Sequence, residues 1–174
     1  MTKHRPFNIE IDKLTRSIEN AISKDSFKTD ILELTSSDIR KLKKEDWKFD
    51  WKTETKYADR KVYKLVILEN PNIIQGLISL QDRYDHVFMP LIESAKFNRG
   101  ERKVYLGVPG NLVAFACKWS FEKGYEGYVS FESKTKLMEH YKKTLNAHIL
   151  FGNFMAIDSK SASKLVEQYF KKYL

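Results

Sequence analysis

Apolar residues recur along the 174-residue chain with two periods, and these periods divide it into elements. From 9 to 24, "IEIDKLTRSIENAISK" places Ile11, Leu14, Ile18, Ala21 and Ile22 at helical spacing behind Asn8 as N-cap, which predicts a helix. "FKTDILELT" alternates over 31–34 and predicts a short strand. "SSDIRKLKKEDW" predicts a short helix with Ser37 or Asp38 near its cap, and "WKFDWKTETKYAD" is an aromatic and charged connector. Three strands follow: "RKVYKLVILEN", "IIQGLISLQD" after a Pro71-Asn72 turn, and "HVFMPLIESA". The first two form a hairpin pattern. Pro90 lies inside the third, and proline has no N–H to give to a ladder, so a bulge or an unpaired edge is expected there.

After a polar loop, "KFNRGERK", the chain reads "VYLGVPGNL" and enters a helix over about 110–123 with Leu112, Phe115, Ala116 and Trp119 on one face and Gly124 just past its end. "YEGYVSFES" predicts a strand. "TKLMEHYKKTLNA" predicts a helix with Leu137, Met138, Tyr141 and Leu145 aligned, and "HILFGNFMAID" a final strand or pair. "SKSASKLVEQYFKKYL" closes the chain as an amphipathic helix through Leu165, Val166, Tyr169, Phe170 and Tyr173. Three consecutive strands imply an antiparallel part, and the strand–helix–strand unit around the glycines implies a parallel crossover. The fold expected is a mixed α/β domain with a mainly antiparallel sheet of six to seven strands flanked by helices.

Composition adds bounds. A 42% hydrophobic fraction over this length suits one domain spanning 1–174. A single cysteine, Cys117, excludes an internal disulfide and fits a reducing cytoplasm. No stretch approaches 18 apolar residues and the start has no apolar signal region, so neither export nor a membrane partner is expected. The net charge of +8 favours acidic partners, but acids interrupt the bases throughout, which disfavours a dedicated nucleic-acid arm. His4, His86, His140 and His148 have no metal-ligand spacing with one another or with Cys117, so no metal is expected. Cys117 lies among apolar helical residues and reads as a small core residue, and His140 reads as exposed. "WKFDW" could stack bases, but three alternating aromatics fit an edge strand better.

"GVPGNL" sets a glycine pair at the mouth of a helix, where unpaired N–H groups and the helix dipole attract an anion. No Walker lysine follows. With this stretch, "EKGY" at 122–125 and "MEHYKKTLNA", the chain from about 60 to 151 resembles the GNAT superfamily, the Gcn5-related N-acetyltransferases. Gly107 takes the first glycine of that family's Arg/Gln-x-x-Gly-x-Gly/Ala motif and Leu112 the apolar residue after it. Pro109 replaces the second glycine and Val104 the basic position; Lys134 and Asn146 also depart from the pattern. Residues 1–58 match only in element order, and 152–174 supply a last strand and helix.

The resemblance implies acetyl-CoA as cosubstrate and direct attack of an amine acceptor on its thioester. It places the pantetheine arm between the splayed fourth and fifth strands, "HVFMPLIESA" and "YEGYVSFES". Backbone groups near Ile92, Glu93 and Ser94 would hold it; Gly107, Val108, Gly110, Asn111 and Leu112 would cradle the pyrophosphate; Arg102, Lys103 or Arg99 would meet the 3′-phosphate. Tyr141 is implied as general acid, against a core tyrosine with its hydroxyl at the rim. Glu93 is the candidate base, against a strand-end acid paired with Lys96 or Arg99. A different class remains open: a GNAT-like module that binds acyl-CoA or an acidic macromolecule without turnover. The acceptor has no motif, and a homodimer through sheet edges or the last helix is compatible with the pattern.

Overall fold

The computed structural model describes residues 6–170; His4 and Tyr173, named above, lie outside them. In chain order the elements are strands β1 (Ile18–Asn20), β2 (Ser26–Phe27) and β3 (Thr29–Glu33), helices α1 (Ser36–Lys41) and α2 (Trp51–Glu54), and strands β4 (Arg60–Ile67), β5 (Gly76–Asp82), β6 (Val87–Ser94) and β7 (Tyr105–Leu106). Then come helix α3 (Val108–Glu122), β8 (Val129–Glu132), α4 (Met138–Leu145), β9 (His148–Phe151), β10 (Phe154–Ile157) and α5 (Ser159–Phe170). A seven-stranded sheet has the order β3-β4-β5-β6-β8-β10-β9, and β2-β1-β7 form a small second sheet. Every pair in the large sheet is antiparallel except β6 with β8, the strands joined by the α3 crossover. This is the mixed sheet expected.

β6 is buried along its whole length and forms the spine of the core. Ser79 faces Leu91 while Gln81 faces Phe88, so Met89 and Pro90 together lie opposite Leu80. That is the bulge Pro90 demands. On the other side, pairing with β8 covers only Val87–Val129 and Phe88–Ser130. Beyond the bulge the two strands no longer pair, and a wedge opens between them.

Two apolar clusters hold the layers. The larger gathers Ile78, Met89 and Ile92 from the sheet, Val108, Leu112, Val113 and Ala116 from α3, and Tyr141, Leu165 and Tyr169 from the later helices. The smaller packs Trp51, Leu42, Val62, Leu77 and Leu91, with Trp47 and Phe49 against it. "WKFDW" is therefore a bent loop entering α2 rather than an edge strand, although its aromatics do pack. Gly124, past the end of α3, has φ +82°, and Asn146, past α4, has φ +55°, the left-handed conformation that ends a helix. No helix among the described residues is long and apolar enough to cross a membrane.

The helix expected at 9–24 does not form. Only Ile18–Asn20 is regular, as β1, and residues 8–15 carry no regular secondary structure. "IEID" also alternates, and that period prevails because the segment's N–H groups find partners elsewhere in the fold. Those of Phe7, Ile11 and Thr15 donate to Glu132 O, His140 Nε2 and Tyr169 OH, respectively. Tertiary hydrogen bonds and burial of Phe7 and Ile11 override a local preference worth only tenths of a kcal/mol per residue, at about 0–0.7.

Candidate functional site

The wedge between β6 and β8 is lined by Ile92, Glu93 and Ser94, and the chain's own N-terminal segment runs into it. Phe7 pairs in parallel with Ser133, just past the end of β8: its N–H donates to Glu132 O, and its O accepts from Lys134 N at 3.1 Å. The Phe7 ring stacks on Phe131 with centroids 4.8 Å apart, and Tyr141 meets both rings edge-on. Across the gap, Leu91–Ser94 of β6 and residues 6–9 enclose a cavity of about 80 Å³, with Lys48, Phe49 and Arg99 at its wall.

Tyr141 is fully buried, and its hydroxyl donates to Ile9 O. Burial holds its phenol well above the ordinary value, so it is protonated at any physiological pH. His140, expected to be exposed, is half-buried and accepts from Ile11 N at 2.8 Å. The two side chains that face the segment from α4 are thus both bonded to its backbone.

At the other end of the segment, Asp12 sits on the glycine stretch. Gly107 N donates to its Oδ1 at 3.2 Å, and Lys103 Nζ donates to its Oδ2 at 3.1 Å. Gly107 has φ +91° and caps α3, and a Cβ there would lie 2.2 Å from Thr15 Oγ1. A Cβ on Gly110 would meet Tyr169 Oη at 2.5 Å and Leu14 at 2.9 Å. Only glycine lets the chain lie this close. Tyr169, its phenol pushed up to about 12 by burial, accepts from Thr15 N, and Gln168 donates to Thr15 O, so α5 clamps the segment from outside.

The remaining predicted residues divide. Ile92 and Ser94 are buried on β6 opposite Ile78 and Gly76 of β5, with Ile92 and Ser94 also lining the cavity. Val108 and Leu112 point into the core, where both crowd Gly76. Asn111 turns its amide towards Thr29 Oγ1 at 3.2 Å and away from the wedge. Arg102 is exposed. Glu93 is a correction in kind. It is 3% exposed, and its carboxylate accepts from Lys48 N, Phe49 N, Trp51 Nε1 and Arg99. Three of these donors come from the loop before α2 and its first residue and the fourth is Arg99 beyond β6, so both oxygens are already committed. Cys117 is buried, and burial raises its thiol, so it serves as core. No group among the described residues could hold a metal ion.

No family model and no curated protein matches the sequence. Solved structures do match its shape. The KacTA–DNA complex superposes with TM-score 0.55 at 13% identity, over 79% of this chain and 98% of that one. AtaTR bound with AcCoA gives 0.51 at 15%, over 79% and 97%. A spermidine N-acetyltransferase, a SpeG chimera from Vibrio cholerae and hSSAT, gives 0.51 at 11%, over 78% and 98%. The chain has the GNAT acetyltransferase fold. Each of these GNAT-fold chains is covered almost whole, and about a fifth of this chain lies outside each superposition. The strand pair that parts, β6 and β8, is joined by the glycine-capped helix α3. The sequence did not show which segment lies in the splay. Ile9 and Asp12 belong to a stretch read as helix, and the alternation of "IEID" was the one signal that could have found them; Phe7 precedes that stretch and had no signal of its own.

Proposed function

We propose that this protein is an acetyl-CoA-dependent N-acetyltransferase that acetylates an amine. The observation that carries the reading is the Asp12 carboxylate on Gly107 N–H and Lys103: the mouth of α3 takes an anion where the GNAT resemblance puts the pyrophosphate. The residues present fit the donor. Gly107 N–H already donates to a carboxylate, Lys103 and Arg102 supply positive charge beside it, and Leu91–Ser94 of β6 line the wedge that would take the pantetheine arm. Pro109 contributes no N–H, so the cradle has one donor fewer. The neighbours support the donor as well, since AtaTR is bound with AcCoA and SpeG is a spermidine N-acetyltransferase.

When bound, acetyl-CoA supplies an activated acyl group to a nucleophile. The chain's own part is positioning and proton management. Tyr141 holds a proton at Oη and would deliver it to the leaving sulfur. Glu93 fixes the "WKFDW" loop that forms one wall. A single buried thiol suits a reducing cytoplasmic setting. A second reading, a GNAT-like binding module without turnover, is favoured by the same filled wedge and by the committed Glu93 carboxylate. Release of free thiol from acetyl-CoA in the presence of polyamines, lysine peptides and aminoglycosides separates the two. Amine-dependent release is expected; donor binding with no release from any amine would favour the module.

A further inference from the structure

The residues that would serve the donor are each held by one short stretch of the same chain. Ile9 O accepts from Tyr141 Oη, Ile11 N–H is given to His140, and the Asp12 carboxylate covers Gly107 N–H and Lys103. Phe7 supplies the backbone pairing beyond β8 that β6 abandons at its bulge. A peptide in the wedge with a carboxylate at the helix mouth has the layout of a pantetheine arm ending in a phosphate. We propose that residues 6–15 are an intramolecular strap that occupies the donor wedge, and that acetyl-CoA and the strap exclude one another. This rests on the donor reading above.

The strap's polar holds are individual hydrogen bonds and one ion pair with Lys103; its apolar hold is buried Phe7 and Ile11, with Phe7 stacked on Phe131 and edge-on to Tyr141, and residues 8–15 carry no regular structure. The donor could replace the polar holds, phosphate for carboxylate and amide for amide. Departure of the strap would release the phenol of Tyr141 and the imidazole nitrogen of His140 together, so the site would be assembled only when the donor is in place. If only a fraction of molecules is open, the apparent dissociation constant exceeds the intrinsic one by the inverse of that fraction.

The test is calorimetric titration of the full-length protein with acetyl-CoA, comparing wild type with Asp12→Asn and with Phe7→Ala separately. Asp12→Asn removes a charge at the helix mouth, while Phe7→Ala is uncharged and acts at the far end of the strap. A fall in apparent Kd of about tenfold or more is expected in both. A gain in Asp12→Asn alone would be a charge effect at the glycine stretch and would overturn the strap. Equal affinity in all three proteins would overturn it too, while leaving the donor reading intact. No binding in any of them would overturn the donor reading itself, and the strap with it. Circular dichroism melts of each variant establish that the titrated protein is folded; should Phe7→Ala not fold, Phe7→Leu takes its place with the same expectation.

Discussion

Glu93→Ala is expected to destabilise the protein by about 3–5 kcal/mol, the range for removing one partner of a buried charge pair. The carboxylate accepts from Lys48 N, Phe49 N and Trp51 Nε1, and it faces the Arg99 guanidinium at 3.2 Å. Its loss removes an acceptor from the buried Trp51 indole N–H and a counter-charge from Arg99. Guanidinium unfolding followed by tryptophan fluorescence reads the change. Glu93→Gln keeps the shape and one acceptor, and it should lose distinctly less. A loss below about 1 kcal/mol in Glu93→Ala would mean that the aromatic cluster around Trp51 holds the loop unaided. A fall in kcat of about 100-fold in a fully stable Glu93→Gln would instead return Glu93 to the role of base.

Tyr141→Phe is expected to lower kcat by at least about 100-fold, the lower bound for a positioned general acid, with acetyl-CoA affinity unchanged or improved. Affinity should not fall because the hydroxyl's bond among the described residues is to Ile9 of the strap. The ring itself stays packed on Phe7 and Phe131, so the fold should lose only about 1 kcal/mol, the net value of one hydrogen bond. Thiol release at saturating acetyl-CoA reads the first effect and calorimetry the second. A kcat within about threefold of wild type would reduce Tyr141 to a core residue whose hydroxyl anchors the strap.

What the sequence disclosed was local. The bulge at Pro90 follows from a missing N–H, and the helix ends at Gly124 and Asn146 follow from left-handed geometry; both are legible within a few residues. The strand trio and the crossover helix follow from runs of apolar residues whose period is unambiguous. The strap was not legible because its partners are remote. Asp12 and Gly107 are 95 residues apart, and Ile9 and Tyr141 are 132 apart. Residues 9–12 satisfy both a helical and an alternating pattern, and only their remote partners decide between them. Glu93 posed a similar problem. Its position at the end of a central strand suits a base, but the donors that occupy it come from 44 and 45 residues earlier, in a loop with no periodic signal.

On the proposed reading acetyl-CoA binds in the wedge between β6 and β8, against the mouth of α3. Amide hydrogen exchange of the full-length protein, with and without saturating acetyl-CoA, tests this binding site. Slower exchange is expected at Gly107 and in peptides covering 91–94 and 110–112, together with faster exchange at 7–15 as the strap is displaced. Unchanged exchange in both regions, with protection appearing elsewhere or nowhere, would contradict it.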